Sequence, residues 1–159
     1  MSPGDVPNDY AQTEKAALRL IARAEQTVSG LSRKLIKKGY DSVCVQTIIE
    51  KLCETGLLDD RRYACLWLET RIARKASSPL RLLSSLRSRN IDRHDADLAL
   101  KETLDEEAEL QLLHRFVQKY AHKRIKKSGS DDSVQSYRYL LKSEGFSAPV
   151  IQRFFDMTF

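Results

Sequence analysis

The stretch that decides the fold covers residues 56–64 and reads Gly56-Leu57-Leu58-Asp59-Asp60-Arg61-Arg62-Tyr63-Ala64. Gly56 has no Cβ and adopts a positive φ easily, which suits the residue just past a helix end. Asp59 or Asp60 can cap the next helix, because a carboxylate oxygen accepts its unpaired N–H groups and suits the positive end of the helix dipole. The stretch therefore predicts one helix that ends at Gly56 and another that runs from Arg61 to about Lys75.

The same kind of junction recurs along the chain at a fixed register. The register is anchored by three leucines, which are Leu35, Leu86 and Leu141. Four residues after each comes a residue suited to a positive φ, five after comes an apolar residue, and six after comes a helix N-cap. These sets are Gly39, Asn90 and Gly145; Tyr40, Ile91 and Phe146; and Asp41, Asp92 and Ser147. A recurrence of three different physical roles at one spacing indicates a structural repeat.

The fold class predicted from this register is all-α. Apolar residues recur at helical spacing, and no stretch alternates with the period of two that a strand requires. We predict nine helices in three tandem three-helix repeats, which form an elongated, curved stack. The predicted divisions are a flexible N-terminal tail at 1–10 and repeats at 11–56, 57–105 and 106–159.

Composition favours a soluble folded protein. The 159 residues are 42% hydrophobic and 31% charged, with a net charge of +5. No apolar run is long enough to span a membrane, and the polar first twelve residues do not resemble a secretory signal, so we expect a cytoplasmic protein. The odd set Cys44, Cys53 and Cys65 has no CxxC spacing and is typical of small apolar packing residues.

No residue pattern predicts catalysis or a cofactor. The chain has no phosphate-binding GxxxxGK[ST] loop, and His94, His114 and His122 are not paired with Cys or Glu at metal-ligand spacing. Asp59 and Asp60 are adjacent carboxylates, but helix capping explains them without general acid–base chemistry. We therefore expect a protein that is not an enzyme and that needs no cofactor or metal.

Charge is distributed in blocks, and this is the remaining functional signal. Residues 57–91 carry eight Lys or Arg against three acids, residues 92–109 carry two against eight, and residues 115–127 carry six against none. A single charged residue is explained well enough as a solvated helix face. The blocks together indicate an anionic partner, either an acidic protein surface or phosphate.

Three stretches of the sequence resemble a known family. They are residues 56–64, Arg74-Lys75 and the run Ser78-Pro79-Leu80-Arg81-Leu82-Leu83-Ser84-Ser85-Leu86. These residues resemble the RecX family, whose members regulate the RecA recombinase. The resemblance extends from about Ala16 to Phe155 and is most specific at residues 56–86. It implies a modular protein of three-helix repeats that binds the RecA filament on single-stranded DNA and inhibits its recombinase and ATPase activity. It also implies an effect on the coprotease role of the filament in the DNA-damage response. One departure is the turn at residues 76–78, where many relatives have a glycine.

The candidate partner-binding residues are the cations of the repeats. Because the second helices of the first and second repeats are matched in register, we expect their cations to lie on related faces. The candidates are Arg33, Lys34, Lys37, Lys38, Arg61, Arg62, Arg71, Arg74, Lys75, Arg81, Arg87, Arg89, Lys119, Lys123, Arg124, Lys126 and Lys127.

Two other functions remain open from the residues alone. One is a helical module that binds DNA directly, because short helices joined by a tight turn resemble helix-turn-helix architecture. The other is a scaffold with a different protein partner. In each case we expect a monomer.

Overall fold

Three groups of three helices follow one another along the chain in the computed structural model, which describes residues 6–121 and 131–158. We call these groups units 1, 2 and 3 in chain order. The nine α-helices in this part of the chain are α1 (Val6–Arg23), α2 (Val28–Lys37), α3 (Ser42–Glu54), α4 (Asp60–Arg74), α5 (Pro79–Arg87), α6 (Arg93–Thr103), α7 (Glu106–Phe116), α8 (Asp131–Ser143) and α9 (Ala148–Thr158). Helix α7 continues into a π-helical turn at Val117–Ala121. No strand occurs in the described ranges, so the predicted all-α repeat fold is confirmed.

The repeat register is confirmed at the end of the second helix of each unit. The leucine at this position is fully buried in every unit, as Leu35, Leu86 and Leu141. The residue four places later has a positive φ, of 93° at Gly39, 57° at Asn90 and 91° at Gly145. The residue five places later donates its N–H to the carbonyl oxygen of that leucine, at 3.3, 3.3 and 3.2 Å. This bonding is a Schellman motif, so the register recurs because each unit ends its second helix by the same backbone geometry.

The predicted helix N-caps are confirmed where a side-chain oxygen accepts a backbone N–H, at Asp41 before α3, Asp59 before α4 and Asp92 before α6. Thr27 before α2 and Ser78 before α5 cap their helices in the same way. Ser147 before α9 differs, because its hydroxyl donates to Glu109 Oε2 at 2.9 Å. The other oxygen of Glu109 accepts the Ser147 backbone N–H at 2.5 Å. A buried carboxylate of α7 therefore stabilises the start of α9 from outside that helix.

The buried side chains form two hydrophobic cores. One lies within unit 1 and extends from Ala16 on α1 to Leu58, just past α3. The other extends from Ala64 on α4 to Phe155 on α9, so units 2 and 3 share it. Units 2 and 3 therefore share an apolar face, whereas unit 1 packs around its own core.

The first helix begins earlier than predicted. Helix α1 starts at Val6, within the predicted flexible tail at 1–10. The helical spacing of Leu110, Leu113, Val117 and Tyr120 also predicts one helix from about Glu106 to Lys126, and its part beyond Ala121 lies outside the described residues. The exact repeat boundaries at 56/57 and 105/106 stay a prediction. Among the helices described, none is long and apolar enough to cross a membrane.

Candidate functional site

The stretch at residues 56–64 forms the joint between unit 1 and unit 2. Asp59 Oδ1 accepts the backbone N–H of Arg62 at 3.0 Å and so caps its own helix, α4. Asp60 Oδ1 instead accepts the backbone N–H of Val28 at 2.8 Å. Val28 is the first residue of α2 and belongs to unit 1. Gly56 has a φ of 74°, as predicted for the residue that ends α3. The two adjacent carboxylates thus cap two helices of different units.

Asp60 is partly removed from solvent by this arrangement. Burial is the main cause that raises the pKa of its carboxyl above the ordinary value, and Asp95 and Asp59 raise it further. The N–H of Val28 acts in the opposite direction, because a hydrogen bond to the carboxylate stabilises the charged form. The joint therefore contains a carboxyl group whose pKa is raised by its surroundings.

Arg62 fastens the same joint with three contacts. Its Nε donates to Glu25 Oε1 at 2.7 Å, its Nη1 to the Gly56 carbonyl at 2.8 Å, and its Nη2 to the Leu57 carbonyl at 3.2 Å. Arg61, beside it, forms an ion pair with Glu102 of α6. Both arginines were candidate partner contacts, and the structure uses their guanidinium donors within the protein.

A polar cleft opens beside this joint. We call it the joint cleft. It has a volume of about 420 Å³ and is lined by Glu25, Gln26, Thr27, Gly30, Arg33, Lys34, Tyr63, Ser88 and Arg89. Three of the candidate cations meet there, since Arg33 and Lys34 come from α2 of unit 1 and Arg89 follows α5 of unit 2. The cleft therefore unites basic residues that are more than fifty positions apart in the sequence.

The three cations of the joint cleft have no acidic partner among the residues that the structure describes. In the described part of the chain, no carboxylate oxygen lies within 4.0 Å of the charged nitrogens of Arg33, Lys34 or Arg89. The one carboxylate in the lining, Glu25, is bound to Arg62. The three cations of the cleft outnumber its one carboxylate, which is already paired. The joint cleft therefore has a net positive charge.

Neutral groups hold two of these cations in place. Lys34 Nζ donates to Gln26 Oε1 at 2.7 Å. Arg89 Nη1 donates to the Ser85 carbonyl at 2.9 Å, and its guanidinium lies 4.7 Å from the centre of the Trp67 ring. The sequence analysis identified neither Gln26 nor Trp67 as a functional residue. The spacing of Trp67 one turn before Arg71 was the available signal, and Arg71 does lie over that ring, at 5.4 Å.

Arg81 and Arg87, the other candidates on α5, lie elsewhere. Arg81 faces unit 3, where its Nε is 3.5 Å from Glu144 Oε2 and its guanidinium lies 4.6 Å from the Tyr120 ring centre. Arg87 lines a separate small pocket between α5 and α6, of about 170 Å³. The expectation that the cations of α2 and α5 share one face therefore holds only in part, because Arg81 and Arg87 are directed away from the joint cleft.

The remaining candidates are distributed over the surface. Lys37 and Lys38 are exposed at the C-terminal end of α2, Arg74 and Lys75 at the end of α4, and Lys119 lies over Tyr120 at 5.2 Å. The candidates Lys123, Arg124, Lys126 and Lys127 lie outside the described residues.

The described residues do not assemble a metal site or an activated thiol. No three His, Cys, Asp or Glu side chains in these ranges converge as metal ligands. Burial raises the pKa of the Cys44, Cys53 and Cys65 thiols, which disfavours the reactive thiolate. Cys65 Sγ instead donates to Glu102 Oε2 at 3.2 Å.

Two family models match consecutive parts of the chain. Residues 15–52 match the first three-helix domain of RecX, and residues 59–100 match the second. The gap between them contains the joint residues Gly56 to Leu58.

Curated relatives and a solved structure agree with this match. A protein named regulatory protein RecX from Treponema pallidum is 33% identical over 108 residues, which are 68% of this chain and 66%, just under two thirds, of that relative. A second, from Pelodictyon phaeoclathratiforme, is 29% identical over 136 residues, which are 86% of this chain and 82% of that relative. A crystal structure of a regulatory protein RecX superimposes with a TM-score of 0.73 at 24% identity, over 93% of this chain and 72% of the other, which shows a shared fold. With two RecX domains matched in their order and relatives of that name aligned over most of its length, the chain belongs to the RecX family of regulatory proteins.

Proposed function

We propose that this chain regulates the RecA recombinase by binding the filament that RecA forms on single-stranded DNA, and that it inhibits the filament's recombinase and ATPase activity. The observation that carries the proposal is the match of two consecutive units to the first and second RecX domains. The relatives in the comparison are named as regulatory proteins, and a regulatory role is the common property of the family.

The distribution of charge supports a polyanionic partner. The joint cleft carries three cations that have no acidic partner among the described residues, and Lys37 and Lys38 extend the positive surface along α2. Each exposed charge pair contributes only about 0–1 kcal/mol, so a single contact decides little. Several charges that act together raise the association rate and select a partner of opposite charge. A filament that contains nucleic acid is such a partner.

The tandem arrangement supports binding that spans more than one RecA protomer. Units that follow one another in a stack present related surfaces in succession, as repeat proteins commonly do when they bind extended partners. A regulator that bridges neighbouring protomers would resist the changes between them that accompany ATP turnover. In this proposal, inhibition of strand exchange and of the coprotease role follows from the same contact.

Co-sedimentation with preformed filaments tests the binding step. RecA is assembled on long single-stranded DNA with a slowly hydrolysed ATP analogue, and the fraction of this protein that pellets with it is measured. We expect saturable pelleting that weakens as salt is raised, because the contact is largely ionic. RecA without DNA and DNA without RecA are the controls. If the protein stays in the supernatant at every ratio in low salt, the proposal is wrong.

A further inference from the structure

We propose that the joint cleft between units 1 and 2 binds phosphate groups of a single strand of nucleic acid. The inference deepens the proposed function and rests on it in one respect, since it names the component of the filament that the cleft would contact. The binding itself needs no RecA, so the two proposals can be tested separately.

The first argument is uncompensated charge. Arg33, Lys34 and Arg89 converge on one cleft, and the described residues supply no carboxylate partner to any of them. Glu25 lies in the same lining but is engaged by Arg62. By contrast, Arg61 and Arg62 at the same joint each have an acidic partner. An anionic ligand would supply the counter-charge that the described carboxylates do not give to the three cations of the cleft.

The second argument is preorganisation by neutral groups. Trp67 and the Ser85 carbonyl fix the guanidinium of Arg89 while using one of its five N–H donors in a hydrogen bond. Gln26 fixes the ammonium of Lys34 and uses one of its three donors. The remaining N–H donors of Arg89 and Lys34 are held beside the cleft, and both side chains keep their positive charge. A fixed guanidinium is suited to bind two oxygens of one phosphate at once.

The third argument concerns the class of anion. Tyr63 lines the cleft, and Trp67 lies one turn further along α4 with Arg71 and Arg89 over its ring. Tyr63 and Trp67 are half-buried, so cations and partly exposed aromatic rings lie close together beside the cleft. This combination is typical of proteins that bind single strands, where the backbone follows the cations and bases stack on aromatic or guanidinium planes. An acidic peptide would need the cations but not the rings.

The sole tryptophan of the chain makes the cleft directly observable. The sequence contains one tryptophan, and Trp67 carries the guanidinium of Arg89 on its ring. An oligothymidylate is titrated into the protein without RecA, and tryptophan emission is recorded together with the anisotropy of a labelled strand. We expect both signals to saturate at the same concentration. With three phosphate contacts, the slope of log K against log salt should be about −2.

A charge-matched pair of variants in unit 1 locates the site. Arg33→Gln with Lys34→Gln removes two cations from the cleft, and Lys15→Gln with Arg19→Gln removes one exposed lysine and one exposed arginine of α1 outside it. We expect the first variant to bind at least about tenfold more weakly at low salt and to lose about 1.4 from the salt slope, whereas the second stays within about twofold of the unaltered chain. Thermal unfolding of both checks that the fold is kept. Equal losses in the two variants would overturn the assignment to the cleft.

Arg89→Lys provides a second variant that keeps the charge. It removes the planar guanidinium, so we expect weaker strand binding and an altered Trp67 emission even before ligand is added. Binding as tight as that of the unaltered chain would overturn the role given to this side chain and, with it, the preorganised site.

Competition decides between nucleic acid and acidic protein. Polyglutamate of matched charge and inorganic phosphate are added to the labelled complex. We expect unlabelled oligothymidylate to displace the strand at concentrations at least about tenfold lower than polyglutamate. Equal displacement by polyglutamate would mean an acidic protein surface as ligand and would overturn the proposal. Inhibition of RecA by a chain that binds no strand would overturn the cleft proposal alone, and strand binding without filament association would overturn the proposed function alone.

Discussion

Asp60 Oδ1 lies 2.8 Å from the backbone nitrogen of Val28, so the first residue of α4 in unit 2 caps the first turn of α2 in unit 1. The adjacent Asp59 caps α4 itself. A pair of neighbouring carboxylates therefore connects two units that have separate hydrophobic cores. The orientation of unit 1 on unit 2, and with it the shape of the joint cleft, depends on these polar contacts more than on shared apolar packing.

Asp60→Ala should lower the stability of the joint, because the Val28 N–H loses its acceptor. Loss of a helix cap costs about 0.5–2 kcal/mol, and we expect a decrease of that size in the free energy of unfolding. The matched control is Asp60→Asn, since asparagine keeps an oxygen acceptor at the same place and caps helices well. Denaturant unfolding measures both. Equal destabilisation by Ala and Asn would show that the Val28 contact contributes nothing.

The dependence of stability on pH should differ between the unaltered chain and Asp60→Asn. Burial raises the pKa of Asp60 above its ordinary value of 3.8, so the folded chain holds this proton more strongly than the unfolded chain. The contribution of Asp60 is therefore most favourable below the unfolded-state pKa and declines as the pH rises through the folded-state pKa.

We expect the unaltered chain to lose stability relative to Asp60→Asn as the pH rises from about 3.5 toward neutrality. Urea unfolding of the two chains in parallel measures the difference, in which the titrating groups that do not interact with Asp60 cancel. A relative gain by the unaltered chain with rising pH would mean that its pKa is lowered by folding.

Leu86→Ala should destabilise the core that units 2 and 3 share. Leu86 has no exposed surface, and truncation of a fully buried leucine costs about 2–5 kcal/mol through lost transfer energy and the cavity that remains. Leu80→Ala on the same helix is the control, because that side chain is 47% exposed. Thermal or denaturant unfolding of both variants tests the repeat register. Similar midpoints for the two would contradict it.

Gly145→Ala should cost more stability than Gly39→Ala, although both glycines end matched helices at φ values of 91° and 93°. A Cβ on Gly39 meets no atom within 4 Å, so only backbone strain opposes the change, at about 1–2 kcal/mol. A Cβ on Gly145 would lie 3.2 Å from the Leu80 nitrogen, which donates to the Glu144 carbonyl at 3.1 Å across the joint of units 2 and 3. The two midpoints are compared directly. A larger loss at Gly39 would contradict this account of the joint.

The local features of the fold could be predicted from the sequence because their causes are local. The buried Leu35, the positive φ of Gly39 and the cap at Asp41 all lie within seven consecutive residues, and the same roles recur in unit 2. The sequence likewise identified Asp59 or Asp60 as the cap of the following helix. It could not show that Asp60 caps α2, because that bond joins residues 32 positions apart and depends on how the units are oriented.

The candidate site was predicted less completely for the same physical reason. The basic character of Arg33, Lys34 and Arg89 is visible in the sequence, but their convergence on one cleft is a property of the joint. Arg62 looked equally available as a partner contact, yet Glu25 and two backbone carbonyls hold it. A cation becomes a candidate binding residue only when the structure shows that no acidic neighbour neutralises it.

The rate of ATP hydrolysis by RecA on single-stranded DNA, measured with increasing amounts of this protein, tests the central claim most directly. RecA of the same organism is assembled on the strand, and phosphate release is followed at low and at raised salt, with this protein alone as the control for contaminating turnover. The account predicts a dose-dependent fall in RecA turnover that weakens as salt is raised. An unchanged rate at saturating amounts of a folded chain, in low salt, would contradict it.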